Sequence, residues 1–368
     1  MAVSANRVPP RLAWLWAAAG ALAGLAHLSR PDGLLFLGIS VLFVLVLAAR
    51  TRRWAGLLML APVLASYALV LLPWGLRNLQ TLGTLLPTGG AEGMFFVTYD
   101  DLFAYPAGAS LGRFLDTLGW QGFLSTRWDA VEGGDGAISG NLGTFIAVEG
   151  MIFLAPFMLI GLFKRLRQPF LWPFFAAVMG IHAVMTLIFP FAGYRGGLLH
   201  SAGALVPFWA ALGVVGVQDV INWVARRRRN WRPASAIRVF GPALILFAVL
   251  LIVALEARHV RAPSETDRAL YAEVDALLPD DARLLSVDPP EVYYVSGRGG
   301  ASIPNAAPDV LPELAARFDI RYLLLQEGTI TEPMTSAWDA PPEFLRAIPL
   351  TSAGARLYEI TAAPSGRP

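Results

Sequence analysis

The chain has 368 residues, 55% hydrophobic and 15% charged, with a mean hydropathy of +0.54. Soluble domains carry about 25% charged residues, so ordinary soluble domains are excluded for most of the length, and the absence of cysteine excludes a disulfide scaffold. The formal net charge of +2 hides an asymmetry, with 21 basic and 11 acidic side chains up to Arg261 against 8 and 16 from Ala262 onward.

Apolar runs long enough to cross about 30 Å of hydrocarbon fall near Leu12–Leu28, Leu34–Ala49, Ala55–Trp74, Leu142–Phe163, Phe170–Pro190, Leu198–Val217 and Val239–Glu256. Seven spans are therefore expected. The first two form a tight hairpin across Ser29–Gly33, and Pro62, Pro156, Pro173 and Pro207 lie inside spans, where neighbouring helices accommodate kinks. Leu12–Leu28 reads as a retained helix, because a second apolar span follows at once with no small-x-small cleavage site between them.

Basic residues alternate strictly between loops. Arg7, Arg11, Arg50, Arg52, Arg53, Lys164, Arg165, Arg167, Arg226–Arg229, Arg232 and Arg238 share one side. The opposite turns hold Arg30 and Arg195, and the long loop adds Arg113 and Arg127. This pattern predicts a cytoplasmic N-terminus and an extracytoplasmic, acidic C-terminal part. The arginine run at 226–229 serves topology and not nucleic acid.

The expected fold class is an α-helical polytopic membrane bundle over 1–262, with an extracytoplasmic loop at 75–141, followed by a small extracytoplasmic α/β domain over 263–368. Within the loop, Leu111, Phe114, Leu115, Leu118 and Phe123 share a helical face. With Trp120 and Trp128 suited to headgroups, the segment reads as an interfacial helix, or else as one packed on the C-terminal domain. The tail predicts a helix at Glu265–Leu278, strands at Arg283–Val287, Arg321–Gln326 and Arg356–Thr361, a helix at Val310–Phe318 and a short helix near Glu343–Ala347. Gly297-Arg-Gly-Gly300 has glycines suited to a phosphate loop but lacks the Lys-Ser/Thr ending that loop requires.

The chemistry-bearing residues cluster by type. His27 and His182 lie inside spans, where an ionisable group is either functional or neutral and bonded to a backbone carbonyl. Arg30, Arg77 and Arg195, with Asp32 and His200, sit where spans meet the extracytoplasmic surface. Guanidinium forks match phosphate oxygens bidentately, so these groups either grip a phosphate headgroup, or Arg30 pairs with Asp32 while the others snorkel. Asp100 and Asp101, and Asp129, Glu132 and Asp135, offer carboxylates for a general base or a divalent cation, or are solvated turn residues.

These residues also carry a resemblance. Gly20-Ala-Leu-Ala-Gly-Leu…Arg30-Pro-Asp-Gly33, Leu72-Pro-Trp-Gly-Leu-Arg-Asn78 with Gly83-Thr-Leu-Leu-Pro87, and Tyr194-Arg-Gly…His200-Ser resemble motifs of the GT-C membrane glycosyltransferases. That superfamily includes dolichyl-phosphate-mannose protein mannosyltransferases and bacterial aminoarabinose transferases. Leu278-Pro…Tyr293-Tyr…Gly297-Arg and Tyr322-Leu-Leu-Leu are similar to the extracytoplasmic domain such enzymes often carry. The resemblance implies a multi-pass transferase of the cell (plasma or inner) membrane that takes a polyprenyl-phosphate-linked sugar from the lipid. Arg30, Arg77, Arg195 and His200 would hold the phosphate, and the catalytic carboxylate is either absent from this chain or lies among Asp100, Asp101 and Asp135, with a divalent cation as a possible cofactor. It covers the family's later part, so the chain is expected to be a C-terminal portion, working with an N-terminal-half protein from an adjacent gene or lacking activity. A non-catalytic membrane assembly protein and a lipid-linked sugar transporter are the alternatives.

Overall fold

The computed structural model describes residues 10–86, 90, 92–105, 108–133, 140–150, 153–193, 197–259, 265–330 and 332–361. Two compact units emerge: Met1–Val97 with Ser110–Val249, and Thr98–Ala109 with Leu250–Pro368.

The first unit is helical. Helices α1 (Pro10–Ser29), α2 (Leu34–Thr51) and α3 (Leu60–Leu82) form one group. A Cβ at Gly20 would collide with the Val63 carbonyl, and one at Gly24 would lie 2.9 Å from the Val70 Cβ, so these small residues let α1 and α3 approach along their backbones. The turn between α1 and α2 is closed by Arg30 N–H donating to Ala26 O (3.0 Å) and Gly33 N–H to Arg30 O (2.9 Å).

Helix α4 (Leu111–Glu132) starts at Ser110, whose hydroxyl accepts from Arg113 N–H (3.2 Å), and kinks at Gly119, where φ is 62°. It then buries Phe114, Arg127 and Ala130 and leaves Trp120, Leu124 and Trp128 exposed at one-turn intervals. It belongs to the helical unit. Next come α5 (Asn141–Gly143), a π-helical turn at Thr144–Glu149, α6 (Ala155–Arg165), α7 (Trp172–Ala183), a second π-helical turn at Val184–Ile188, α8 (Pro190–Ala192), α9 (Leu198–Ala202), α10 (Val206–Ala225) and α11 (Pro233–His259). Their core joins Met158, Phe174, Ile181, Leu198, Leu205 and Trp209. Side chains at Gly161 or Gly216 would strike the Leu212 or Phe157 backbone, which keeps α6 and α10 in backbone contact. Lys164 and Arg165 then pair with Asp219 at 3.4 and 2.7 Å.

Five described helices are long and apolar enough to cross a membrane: Pro31–Thr51, Trp54–Leu82, Pro169–Ile188, Val206–Ala225 and Pro233–Ala254. The apolar part of α1, Ala13–Ser29, is shorter, and the expected span Leu142–Phe163 is divided between α5, a π-turn and α6. Leu69, Leu76, Ile245 and Leu246 stay exposed, a pattern that suits hydrocarbon as the solvent.

The second unit carries a five-stranded mixed sheet in the order β2-β1-β3-β5-β4. Strands β1 (Leu284–Ser286), β2 (Gly300–Ser302) and β3 (Tyr322–Gln326) run parallel, whereas β4 (Leu345–Ile348) and β5 (Ala355–Ile360) pair antiparallel. Helices α12 (Glu265–Leu277) and α13 (Pro289–Ser296) cover one face, packing Leu270, Tyr271, Val274 and Val292 on Leu284 and Leu324. On the other face, α14 (Leu311–Phe318) and α15 (Glu332–Asp339) supply Leu311 and Met334 against Leu285, Leu323 and Leu325.

The helix expected near Glu343–Ala347 is strand β4, with Leu345 opposite Ile360 and Ile348 opposite Leu357. Pro341, Pro342 and Pro349 bracket the segment, and a residue before proline is pushed to extended backbone, so helix is disfavoured at both ends. Strand β2 lies where no strand was expected. Arg298 of Gly297-Arg-Gly-Gly300 is buried and donates to Asp275 Oδ1 (2.6 Å) and to the carbonyls of Asp275 (2.9 Å), Leu278 (3.0 Å) and Pro279. It caps the end of α12, so the segment is a helix stop and not a phosphate loop.

Glu273 on α12 fastens the approach to β5. Its carboxylate accepts from the Ser352 hydroxyl (2.6 Å) and N–H (3.0 Å) and from the Thr351 hydroxyl (2.7 Å) and N–H. The Ser352 hydroxyl bond first, and the Thr351 bonds with it, hold this carboxyl at about 2, below the ordinary 4.5. The stabilisation is therefore complete above pH ~4.5 and is lost as pH falls toward ~2. The protection factors of the Thr351 and Ser352 amides, taken relative to intrinsic exchange at each pH, are expected to fall across that window in the native chain and to lose this pH dependence in Glu273→Gln. An unchanged profile in the variant would refute the clasp.

Candidate functional site

Polar side chains pair across α1 and α3 of the helical unit. His27 Nδ1 on α1 lies 2.5 Å from the Tyr67 hydroxyl on α3, and its ring stands 6.4 Å from that of Trp74. Its partner is thus a tyrosine hydroxyl and not a backbone carbonyl. Gly20 meets Val63, Gly24 meets Val70 and His27 meets both Tyr67 and Trp74, so α1 and α3 run in the same direction. Arg30 follows the end of α1, and Arg77 lies in the last turns of α3.

Arg30 is engaged twice. Its Nε donates to Asp32 Oδ1 (3.1 Å) and its Nη2 to the Gly197 carbonyl (3.4 Å). Asp32 also accepts from the Ser201 hydroxyl, so the Arg30–Gly33 turn is tied to α9, which carries His200 on an exposed position. Arg77 is exposed and donates through Nη1 to the Asn78 side-chain oxygen (3.3 Å), while buried Asn78 reaches the Leu85 carbonyl (3.5 Å). Arg195 lies outside the described residues, as does Asp135.

The acidic candidates are placed elsewhere. Asp100 and Asp101 belong to the C-terminal unit, where Asp101 accepts from Thr98 N–H (3.3 Å) and closes a capping box on the turn Tyr99–Phe103. That unit holds a cavity of about 250 Å³ lined by Phe103, Tyr105, Leu285, Ile303, Leu314 and Phe318, and neither aspartate lines it. Asp129 and Glu132 are exposed on α4. Among the described residues no group of three His, Cys, Asp or Glu side chains is placed to hold a metal ion.

Two buried ionisable groups escaped the sequence reading. The Glu149 carboxylate is fully buried, with Oε1 2.8 Å from His182 Nε2 and Oε2 accepting from Trp209 Nε1–H at 2.5 Å. Phe145 meets the His182 and Trp209 rings edge-on at 5.9 and 5.5 Å. The signal was present, since Glu149 is the one acidic residue in the apolar run Leu142–Phe163.

Arg127 is the second. It donates from Nε to the Leu187 carbonyl (3.2 Å) and lies 3.9 Å from the Phe123 ring centre and 5.5 Å from that of Phe114. Burial holds its guanidinium below the ordinary arginine range. Asn141 Nδ2 donates to the Met185 carbonyl (3.3 Å) and the Thr186 hydroxyl (2.8 Å). The widened π-turn Val184–Ile188 thus has two of its carbonyls taken by side chains, as buried backbone groups require.

Compared with protein-family models, curated proteins and solved structures, the chain matches none.

Replacing Arg127 with methionine preserves much of the stacked volume but leaves the Leu187 carbonyl without its donor. A buried, unpaired carbonyl costs about 1–3 kcal/mol. The thermal midpoint of the detergent-solubilised chain is expected to fall accordingly, and an unchanged midpoint would show the bond to be dispensable.

Proposed function

We propose that the chain is a membrane glycosyltransferase, or the part of one, that takes its sugar from a polyprenyl-phosphate carrier at the extracytoplasmic face of the cell membrane. The observation that carries this reading is the placement of Arg30 and Arg77 toward the same end of the α1–α3 pair, with the Arg30 turn bonded to the segment bearing His200. Guanidinium and imidazole groups at a helix end are suited to an anionic headgroup that arrives laterally from lipid. Arg30, Arg77 and His200 form the described part of the proposed phosphate grip, and stabilising the departing phosphate is the electrostatic part of such a transfer. The alternation of basic loops supports the extracytoplasmic assignment for this end and for the C-terminal unit.

A second reading is a non-catalytic protein that binds the same headgroup. It is favoured by the engagement of Asp101 as a cap and of Asp32 in an ion pair, which leaves neither free as a base.

The test is binding of a short-chain polyprenyl phosphate, and release of hexose from its sugar-linked form, by the full chain in nanodiscs. Each charge-assisted phosphate contact is worth about 1.5–3 kcal/mol, so Arg30→Gln and Arg77→Gln are each expected to weaken lipid-phosphate binding roughly 10- to 100-fold. Equal binding by native and variant chains would overturn the site. Binding without release would select the second reading.

A further inference from the structure

We propose that His182 is a proton-accepting group of the helical unit, held in its working tautomer by the buried carboxylate of Glu149. The argument begins with Glu149. A fully buried carboxylate is costly unless paired, and this one is met by two ring nitrogens, His182 Nε2 at 2.8 Å and Trp209 Nε1 at 2.5 Å. Indole nitrogen is only a donor, so Trp209 fixes Oε2 as an acceptor. In the proposed arrangement Oε1 likewise accepts, from His182 Nε2–H, which leaves Nδ1 with the lone pair.

Nδ1 makes no hydrogen bond among the described residues, and 23% of the His182 side chain is accessible while Glu149 is wholly enclosed. The dyad therefore has an inner carboxylate that orients and an outer nitrogen that can take a proton. Both members adjoin π-helical turns, Glu149 ending Thr144–Glu149 and His182 preceding Val184–Ile188, a local geometry often found at functional sites. At ~1.5 Å per residue, His182 and Trp209 stand roughly 21–26 Å along their helices from Gln168 and Arg226, toward the face opposite the basic loops.

On the neighbouring elements, α2 carries Arg50, which lies over the Trp172 ring at the far end of α7, and α6 carries Lys164 and Arg165, both paired with Asp219 of α10. Helix α4 carries Arg127, bonded to the Leu187 carbonyl, and α9 carries exposed His200 and is bonded to the Arg30–Asp32 turn. Glu149 is the ionisable partner bonded to His182.

In the transfer, a use that rests on the function proposed above, an acceptor hydroxyl forms its bond to the sugar's anomeric carbon. The bond from that carbon to the phosphate oxygen breaks, and the lipid phosphate leaves with the electron pair. The hydroxyl proton passes to His182 Nδ1 and then to water.

The test has two arms on the full chain in nanodiscs. The first is ¹⁵N-histidine NMR, tractable because the chain has four histidines. At neutral pH the His182 signal, assigned by its loss in His182→Gln, is expected to report an Nε2–H ring. In Glu149→Gln the amide must turn its NH2 toward His182 while its oxygen keeps the Trp209 bond, so the ring is expected to switch to Nδ1–H. An Nδ1–H ring in the native chain, or no switch in the variant, would overturn the proposal.

The second arm measures hexose release. His182→Gln and Glu149→Gln are expected to lose about 100-fold or more in rate while binding polyprenyl phosphate as the native chain does. Native rates in His182→Gln would overturn the assignment. Where a variant fails to fold, shown by lost lipid-phosphate binding, Trp209→Phe serves instead and is expected to mix the two tautomers. A native chain that neither binds nor transfers would sink the proposed function, and the tautomer arm would still decide the dyad.

Discussion

A carboxylate withdrawn wholly from water is the constraint around which the helical unit is arranged. Glu149 gains a tolerable environment only if His182 of α7 and Trp209 of α10 both reach it, since desolvating a lone carboxylate costs several kcal/mol. Trp209 reaches it because α10 is drawn against α6 through Gly161 and Gly216, where any side chain would force the backbones apart. Helix α7 is held from its other side by α2, with Leu35 packed against Gly180. Packing and polar pairing are therefore one problem in this unit. Widening either glycine contact would move a donor away from a group that cannot be left unpaired.

The same logic extends one layer outward. A π-turn displaces carbonyls from the regular helical ladder, and in Val184–Ile188 those of Met185 and Leu187 are met by Asn141 and Arg127. The kink at Gly119 divides α4 between Phe114, before it, and Phe123 and Arg127, after it. Phe114 and Phe123 meet edge-on at 6.2 Å, and the Arg127 guanidinium lies over both rings. A side chain that counts in the sequence as one more loop charge is thus part of the unit's interior.

Much of this architecture was legible from composition and periodicity. Apolar runs overlap the five long apolar helices, although Leu198–Val217 falls eight residues ahead of Val206–Ala225, and the short joint between the first two runs marked the Arg30–Gly33 hairpin. In the C-terminal unit α12, β1, α14, β3 and β5 were expected, whereas α13 and α15 were not. What was not legible has physical reasons. Hydropathy averaged over Leu142–Phe163 conceals a single carboxylate and says nothing of a π-turn, so Glu149 passed unnoticed inside an expected span. Strand β2 is the three residues Gly300-Ala-Ser302, with no β-branched side chain, and it exists through pairing to β1. Strand β4 was read as a helix because its extended form is set by the flanking prolines and by β5. At the candidate site, the arginines were found from their positions at span ends, but the Arg30 bond to Gly197 and the Asp32 bond to Ser201 join residues more than 160 positions apart.

Polar groups in the two units obey different rules, and the difference bears on function. In the C-terminal unit they are dispersed as local clasps, such as Glu273 on Thr351 and Ser352 and Arg298 on the end of α12. In the helical unit they collect at two levels. Lys164, Arg165 and Asp219 form one, at the end bearing the basic loops. Glu149, His182 and Trp209, with the Arg30–Asp32 turn tied to α9, form the other. A path for a polar solute through the bilayer would need partners along its whole depth, whereas the core between these levels is made of Met158, Leu212 and their apolar neighbours. Among the described residues the ionisable groups of this unit thus collect toward its two ends, with an apolar core between them. In the function proposed above, that arrangement suits transfer at a surface over passage across it, and the dyad would act from the end that carries the Arg30–Asp32 turn.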